Sequence, residues 1–227
     1  MINCNRYESI SANGKDSLHD FELYVFSRNI SPAPKVENYV TVPGMHGSYD
    51  FSSIFGEVIY NDRSISYTFD IIADDISSLD KYRREVMDWL CNINNTRIID
   101  TADPDHYWLG SYKPGTYSES GLQGQINVSF IVYPYAIAIN PTVTKIKGIG
   151  SKTLSCNIFN TSSHKVSPTI ETTSAIKIKH KNAILNISPG KYVADDFLLE
   201  KGDNLLQIVH DTQDIFEVVI SYYEEVM

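Results

Sequence analysis

The sequence predicts a mainly β protein of two domains: an N-terminal β domain with one α-helix over residues 1–135, and an antiparallel β-sandwich over residues 141–227. Three observations carry this. Apolar residues recur with a period of two along most of the chain, the signature of strands with one side on a core. A single stretch, residues 77–93, shows the three- and four-residue spacing of an amphipathic helix. Pro134 and Pro141 bracket a segment where one ladder must end and another begin. At 227 residues the chain is long for one average domain and sufficient for two cores.

The strand-like runs of the first half are residues 21–30, 39–42, 57–60, 64–72, 97–99 and 125–133. In the fourth, Ile65, Tyr67, Phe69 and Ile71 share one face, and in the last, Ile126, Val128, Phe130 and Val132 do. Asn61-Asp62 and Asp103-Pro104-Asp105 carry turn chemistry, because Asp and Asn side chains bond nearby backbone and Pro presets φ. In the helix, Leu79, Tyr82, Val86, Trp89, Leu90 and Ile93 form the buried stripe, with Asp80, Lys81, Arg84, Glu85 and Asp88 opposite. Ser77, with Asp80 three residues on, fits an N-terminal cap. The second half shows runs at 152–159, 175–181, 183–187, 204–210 and 215–223. Turns are expected at 160–163, 189–190 and 201–203, and Gly148-Ile149-Gly150-Ser151 reads as another.

With 42% hydrophobic and 21% charged residues the composition is that of a protein that folds in water. No apolar run approaches the roughly 20 residues needed to span a bilayer, and the start lacks a signal peptide's basic flank and apolar stretch. Synthesis and folding in the cytoplasm are therefore expected, with no membrane partner. A net charge of −9 opposes wrapping a nucleic-acid backbone. Lys177, Lys179 and Lys181 alternate beside His180 and read as the wet face of a strand. Cys4, Cys91 and Cys156 are odd in number and far apart, which argues against a disulfide framework and against local metal ligation. The Asn-x-Ser/Thr sequences at Asn94, Asn127, Asn160 and Asn186 read as chance matches.

No catalytic constellation stands out, so no enzymatic activity, metal or cofactor is expected. Asp103-Pro104-Asp105-His106 places two carboxylates beside an imidazole, the minimum for acid–base work, but turn chemistry explains the same residues. His210-Asp211 and Asp195-Asp196 likewise suit surface turns. The six histidines include no pair at metal-ligand spacing, and Gly44, Gly47 and Gly56 precede strand-like sequence instead of a phosphate-binding helix. The 15 tyrosines suit strands and interfaces alike. Tyr192 and Phe197 are the aromatics through which the second domain could stack on a saccharide.

At Val42-Pro43-Gly44-Met45-His46-Gly47-Ser48-Tyr49-Asp50-Phe51-Ser52 the chain resembles the glycine-and-tyrosine loop of the distal tail protein family of phages infecting Gram-positive bacteria. The helix ending Asp88-Trp89-Leu90, the segment 103–110 and the closing strand 127–134 follow in the family's order. The resemblance covers most of residues 1–135 and extends more loosely through 167–170 and 199–204. It implies that Pro43, Gly44, Gly47, Tyr49 and Asp50 form an architectural loop, Gly44 and Gly47 supplying positive φ. It also implies that the N-terminal domain, sandwich- or barrel-like, forms a homo-hexameric ring between the tail tube protein and the tail-associated hub or lysin protein. The C-terminal sandwich would be galectin-like and outward-facing, and the location the distal tail tip or baseplate of a phage or prophage virion. In some relatives a long outer-domain insertion holds receptor-binding proteins, for which this short second domain has no room. The alternative functions are a module recognising host cell-wall polysaccharide and a hydrolase built on Asp103, Asp105 or His106.

Overall fold

A computed structural model of the protein describes residues 8–52, 56–72, 75–181, 183–195 and 197–227. Cys4 and Asp196 lie outside the described residues. The protein is mainly β with one main helix, and it divides into two compact units, Met1–Ala136 and Ile137–Met227.

The first unit contains β1 (Ile10–Ala12), β2 (Lys15–Asp16), α1 (Ser17–Phe21), β3 (Val25–Ile30), β4 (Tyr39–Val40) and β5 (Tyr49–Asp50). These are followed by β6 (Arg63–Ile72), α2 (Ile76–Cys91), β7 (Thr96–Asp100), β8 (Asp103–Ser120) and β9 (Gln123–Val132). Its main sheet runs β2-β1-β7-β8-β9-β6-β3 with antiparallel neighbours. The two alternating rows seen in the sequence meet in register, Ile65 opposite Phe130, Tyr67 opposite Val128 and Phe69 opposite Ile126. All six are buried, so one face of the β6–β9 pair is continuous core. The opposite face carries a polar ladder: Ser66 and Ser129 hydroxyls 3.2 Å apart, Thr68 Oγ1 donating to Asn127 Oδ1 at 2.7 Å, and Gln125 Nε2 to Asp70 Oδ1 at 2.9 Å. A one-residue slip would exchange the two rows, so the register is strongly specified.

Helix α2 buries Leu79, Val86, Trp89 and Leu90. Trp89 stacks on Phe21 with centroids 4.9 Å apart, and its Nε1 donates to the Ala12 carbonyl at 3.0 Å, tying the helix to α1 and β1. The helix starts one residue earlier than the stripe suggests. Asp75, not Ser77, is the cap: its Oδ1 accepts the Ser78 amide at 2.9 Å, leaving Ser77 inside the first turn. Asp80 instead pairs with Arg83 and Arg84 along the exposed face.

Three other expectations in this unit are corrected. Residues 57–60 form no strand, only a bridge from Tyr60 to Lys35, because Val58 and Ile59 have strand propensity but no core to cover. Asp103-Pro104-Asp105 is not the turn but the beginning of β8. The reversal is Thr101-Ala102, held by Asp100 Oδ1 accepting the Ala102 amide at 2.9 Å. The segment bracketed by Pro134 and Pro141 is not only a place where one ladder ends and another begins: it contains a short strand of its own, β10 (Ala136–Ala138).

The second unit contains β11 (Thr142–Ile149), β12 (Lys152–Asn160), β13 (Thr169–Thr172), β14 (Ile176–His180) and β15 (Ala183–Ile187). Then come β16 (Gly190–Val193), β17 (Gly202–His210), β18 (Ile215–Tyr222) and β19 (Glu225–Val226). Two four-stranded antiparallel sheets, β11-β18-β13-β16 and β12-β17-β14-β15, share one apolar core that includes Ile170, Ile178, Leu206, Ile208, Phe216 and Val218. Turn 201–203 is organised by buried Asn204. Its Nδ2 donates to the carbonyls of Glu200 (2.7 Å) and Gly202 (2.9 Å), while Oδ1 accepts the Glu200 amide at 2.8 Å. Lys179 and Lys181 are exposed while Ile176, Ile178 and His180 face inward, as the alternation implied. His210, expected at a surface turn, is instead fully buried. It stacks on Phe216 at 4.2 Å, with Nδ1 3.1 Å from the Gly150 carbonyl and Nε2 2.8 Å from Thr212 Oγ1.

Candidate assembly surface

Between β3 and β6 the chain leaves the sheet and returns as a two-stranded arm. Its base is pinned by the Val36 amide donating to Ile59 O and the Asn61 amide to Pro34 O, both at 2.8 Å. Farther out, β4 and β5 pair Tyr39 with Asp50 and Val40 with Tyr49. The loop of Pro43, Gly44, Gly47, Tyr49 and Asp50 is the tip and returning strand of this arm. Gly44 (φ +84°) and Gly47 (φ +85°) make the reversal in the left-handed region. Asp50 Oδ1 accepts the Ser52 amide at 2.8 Å, and the Ser52 hydroxyl and amide together hold that carboxyl below the usual range. The Ser52 hydroxyl also accepts the Asn38 amide at 2.9 Å, closing the arm behind β5. The Asp50 charge, with Glu37, pushes the Tyr39 phenol up.

The arm buries almost nothing. Tyr39 and Tyr49 are each 55% exposed, with Val40, Val42 and Phe51 exposed beside them. Val40, Tyr49 and Phe51 share one face, with the Tyr49 and Phe51 rings 6.2 Å apart, and Tyr39 lies with Asp50 on the other. A two-stranded hairpin alone in water is marginal, and such exposed apolar groups mark an interaction site. Strand β3 is the second element of the surface. It pairs with β6 along one side, and its other side has no strand partner among the described residues. A bulge between Val25 and Ser27 turns Phe26 outward, 63% exposed. At its start the Val25 amide donates to the Glu8 carbonyl at 2.7 Å; farther along, unpaired amides and carbonyls of such an edge can accept a neighbour's strand.

Gly44→Ala and Gly47→Ala should each destabilise the arm by about 1–2 kcal/mol. A methyl group added at either position would meet no atom within 4 Å, so backbone strain is the whole effect. Hydrogen exchange at Tyr39, Val40 and Phe51 should accelerate while the core melts unchanged; unaltered exchange would show that the reversal tolerates an L-residue.

The remaining candidates are dispersed. Asp103 Oδ1 lies 2.9 Å from His106 Nδ1 in a surface pair at the start of β8, and Asp105 does not join them. Tyr192 is partly exposed on β16, but Phe197 is 2% exposed, edge-on to His180 at 5.6 Å inside the second core, and offers no stacking face. That corrects the pairing of Tyr192 with Phe197: hydrophobic burial claims the phenyl ring. Cys91 is exposed, and burial pushes the Cys156 thiol up. Among the described residues no group of three or more His, Cys, Asp or Glu side chains could hold a metal, and no helix is long and apolar enough to cross a membrane.

Comparison with known proteins bears on the same segment. A family described as the phage tail protein RIFT-related domain matches residues 18–132, which include the arm, β3 and α2. The SPP1 Dit protein (gp 19.1), described as a paradigm of the hub adsorption apparatus in phages infecting Gram-positive bacteria, superposes with a TM-score of 0.71 at 12% identity. That alignment covers 98% of this chain and 100% of the other, and at such identity it establishes the fold. The phage P2 baseplate in its activated conformation with Ca aligns over 93% of this chain and 97% of the other at 7% identity. Its TM-score of 0.42 is too low to bear on the argument. No curated protein sequence matches the chain.

Proposed function

Since the chain belongs to the family of phage tail proteins with a RIFT-related domain, we propose that it is a structural subunit of a phage or prophage distal tail. In this reading six copies form a ring in the virion, between the tail tube protein and the tail-associated hub that carries the adhesion apparatus. The observation that carries it is the exposed aromatic arm beside β3, whose outer side has no strand partner among the described residues, both inside the family segment. A cyclic ring needs two different patches that meet, and the arm and the β3 edge are two such patches. Pro43, Gly44, Gly47, Tyr49 and Asp50 then act by shaping the arm. The second unit would face outward as a galectin-like sandwich, with Tyr192 as its candidate saccharide contact.

Each copy adds a net charge of −9, so like-charge repulsion opposes closure and added salt should favour it. Light scattering across ionic strength and electron microscopy of the full chain test the reading. A ring with a central opening is expected, along with its loss in Tyr39→Ser/Tyr49→Ser. A chain that stays monomeric at every salt and protein concentration, and with tube and hub proteins present, would refute it.

A further inference from the structure

The first unit contains a buried guanidinium with no acid to neutralise it among the described residues. Arg63 opens β6 on the core-facing row that continues through Ile65, Tyr67, Phe69 and Ile71, and it is 6% exposed. Nη1 donates to the Pro134 carbonyl at 3.2 Å, and Cζ lies 4.3 Å from the centroid of Trp108. Nε is buried without a hydrogen-bond partner. Burial pulls the Arg63 pKa down, and no carboxylate offsets it. Arg28, in the same unit, shows the ordinary arrangement: it is bonded to both Asp100 and Glu8.

Guanidinium presents five donors in a rigid fork, and among the described residues Arg63 engages one acceptor. A desolvated fork stacked on an aromatic face is matched by a planar, two-oxygen anion. We propose that Arg63, backed by Trp108, is a receptor for a carboxylate, filled by an acidic side chain of a second copy of this chain. The identity of the occupant rests on the ring reading; the receptor does not. The chain carries 28 acidic against 19 basic residues, so a neighbouring copy presents carboxylates in excess. Arg63 and Trp108 each keep a small accessible rim, at 6% and 8% exposure.

The test compares the full chain with Arg63→Met and Arg63→Lys. Melting is followed in sodium acetate and in sodium chloride at equal ionic strength, and association by light scattering. Acetate should raise the melting temperature of the wild type by about 2–4 °C more than chloride does. Arg63→Met should lose that difference while melting no lower than the wild type in chloride, and should associate at least about tenfold more weakly. Arg63→Lys, which keeps charge but not the fork, should also lose the acetate response. No acetate-specific shift in the wild type, or an equal shift in Arg63→Met, overturns the receptor whatever the oligomeric state. An Arg63-dependent shift in a chain that never assembles supports the receptor and overturns the ring reading instead.

Discussion

Replacing Arg28 by Met should destabilise the first unit by about 3–5 kcal/mol, the range for a buried charge stripped of its partner. Asp100 is 4% exposed, and its carboxylate is fully engaged. Oδ2 accepts Arg28 Nε at 2.6 Å and the Tyr67 hydroxyl at 3.0 Å; Oδ1 accepts Arg28 Nη2 at 2.8 Å and the Ala102 amide at 2.9 Å. Burial disfavours the Arg28 charge, but Asp100 and then Glu8 outweigh it, so the Arg28 pKa lies above its ordinary value. Burial and the same Asp100 charge push the Tyr67 phenol up. The cluster joins β3, β6 and β7, so its loss should loosen the open edge as well as the core. Both tryptophans, Trp89 and Trp108, lie in this unit, so intrinsic fluorescence during denaturation reports on it selectively. Arg28→Met/Asp100→Leu, which removes both charges, should recover much of the loss. A single-variant change under about 0.5 kcal/mol would mean that solvent already neutralises Asp100.

Trp89→Ala should destabilise the same unit by a similar amount, about 3–5 kcal/mol. The indole is buried between α2 and Phe21, and its removal leaves a cavity at the junction of α2, α1 and β1. It also orphans the Ala12 carbonyl, a hydrogen bond worth about 1 kcal/mol. Trp89→Phe separates the two effects, because it fills most of the volume and restores no donor. With Trp89 gone, Trp108 remains as the fluorescent reporter. Denaturation midpoints that fall in the order wild type, Phe, Ala would support the packing account; equal losses for Phe and Ala would assign the effect to the hydrogen bond alone.

Strands β6 and β9 and the stripe of α2 were legible because each buries one face, and burial on one side writes a period into the sequence. Elements that bury little write none. β11 has no fully buried residue in its eight, so no strand is read at 142–147, and Gly148-Ile149, which end β11, are read as the start of a turn. Helix α1 has five residues, too few for a helical period, and its one local signal is Asp16 accepting the amides of Leu18 (2.9 Å) and His19 (3.0 Å). At Asp103-Pro104, local turn propensity yielded to the pairing of β8 with its neighbours. The arm was legible as a reversal through Gly44 and Gly47, since positive φ constrains residue type. Its exposure was not, because Tyr39 and Tyr49 are ordinary strand residues whose environment depends on what the rest of the chain leaves uncovered. Arg63 was missed because an arginine before a strand is usually wet; the only signal was its place at the head of the row of Ile65, Tyr67 and Phe69. Phe197 was misassigned for the converse reason, an aromatic in a turn-rich stretch that the core had already taken.

The strand order of the first unit also bears on synthesis. β9 lies between β8 and β6 and is the last of the three to be made. Until residues 123–132 leave the ribosome, the sheet can exist only as two halves, β2-β1-β7-β8 and β6-β3, each with an unsatisfied side where β9 belongs. At ordinary elongation rates β6 waits on the order of seconds for this partner, carrying Ile65, Tyr67, Phe69 and Ile71 with a strand on one side only. The nascent chain is therefore most prone to pair wrongly with its neighbours on a polysome just before its central strand emerges, and a chaperone that shields β6 during that interval would raise the yield of folded subunit without touching its final stability.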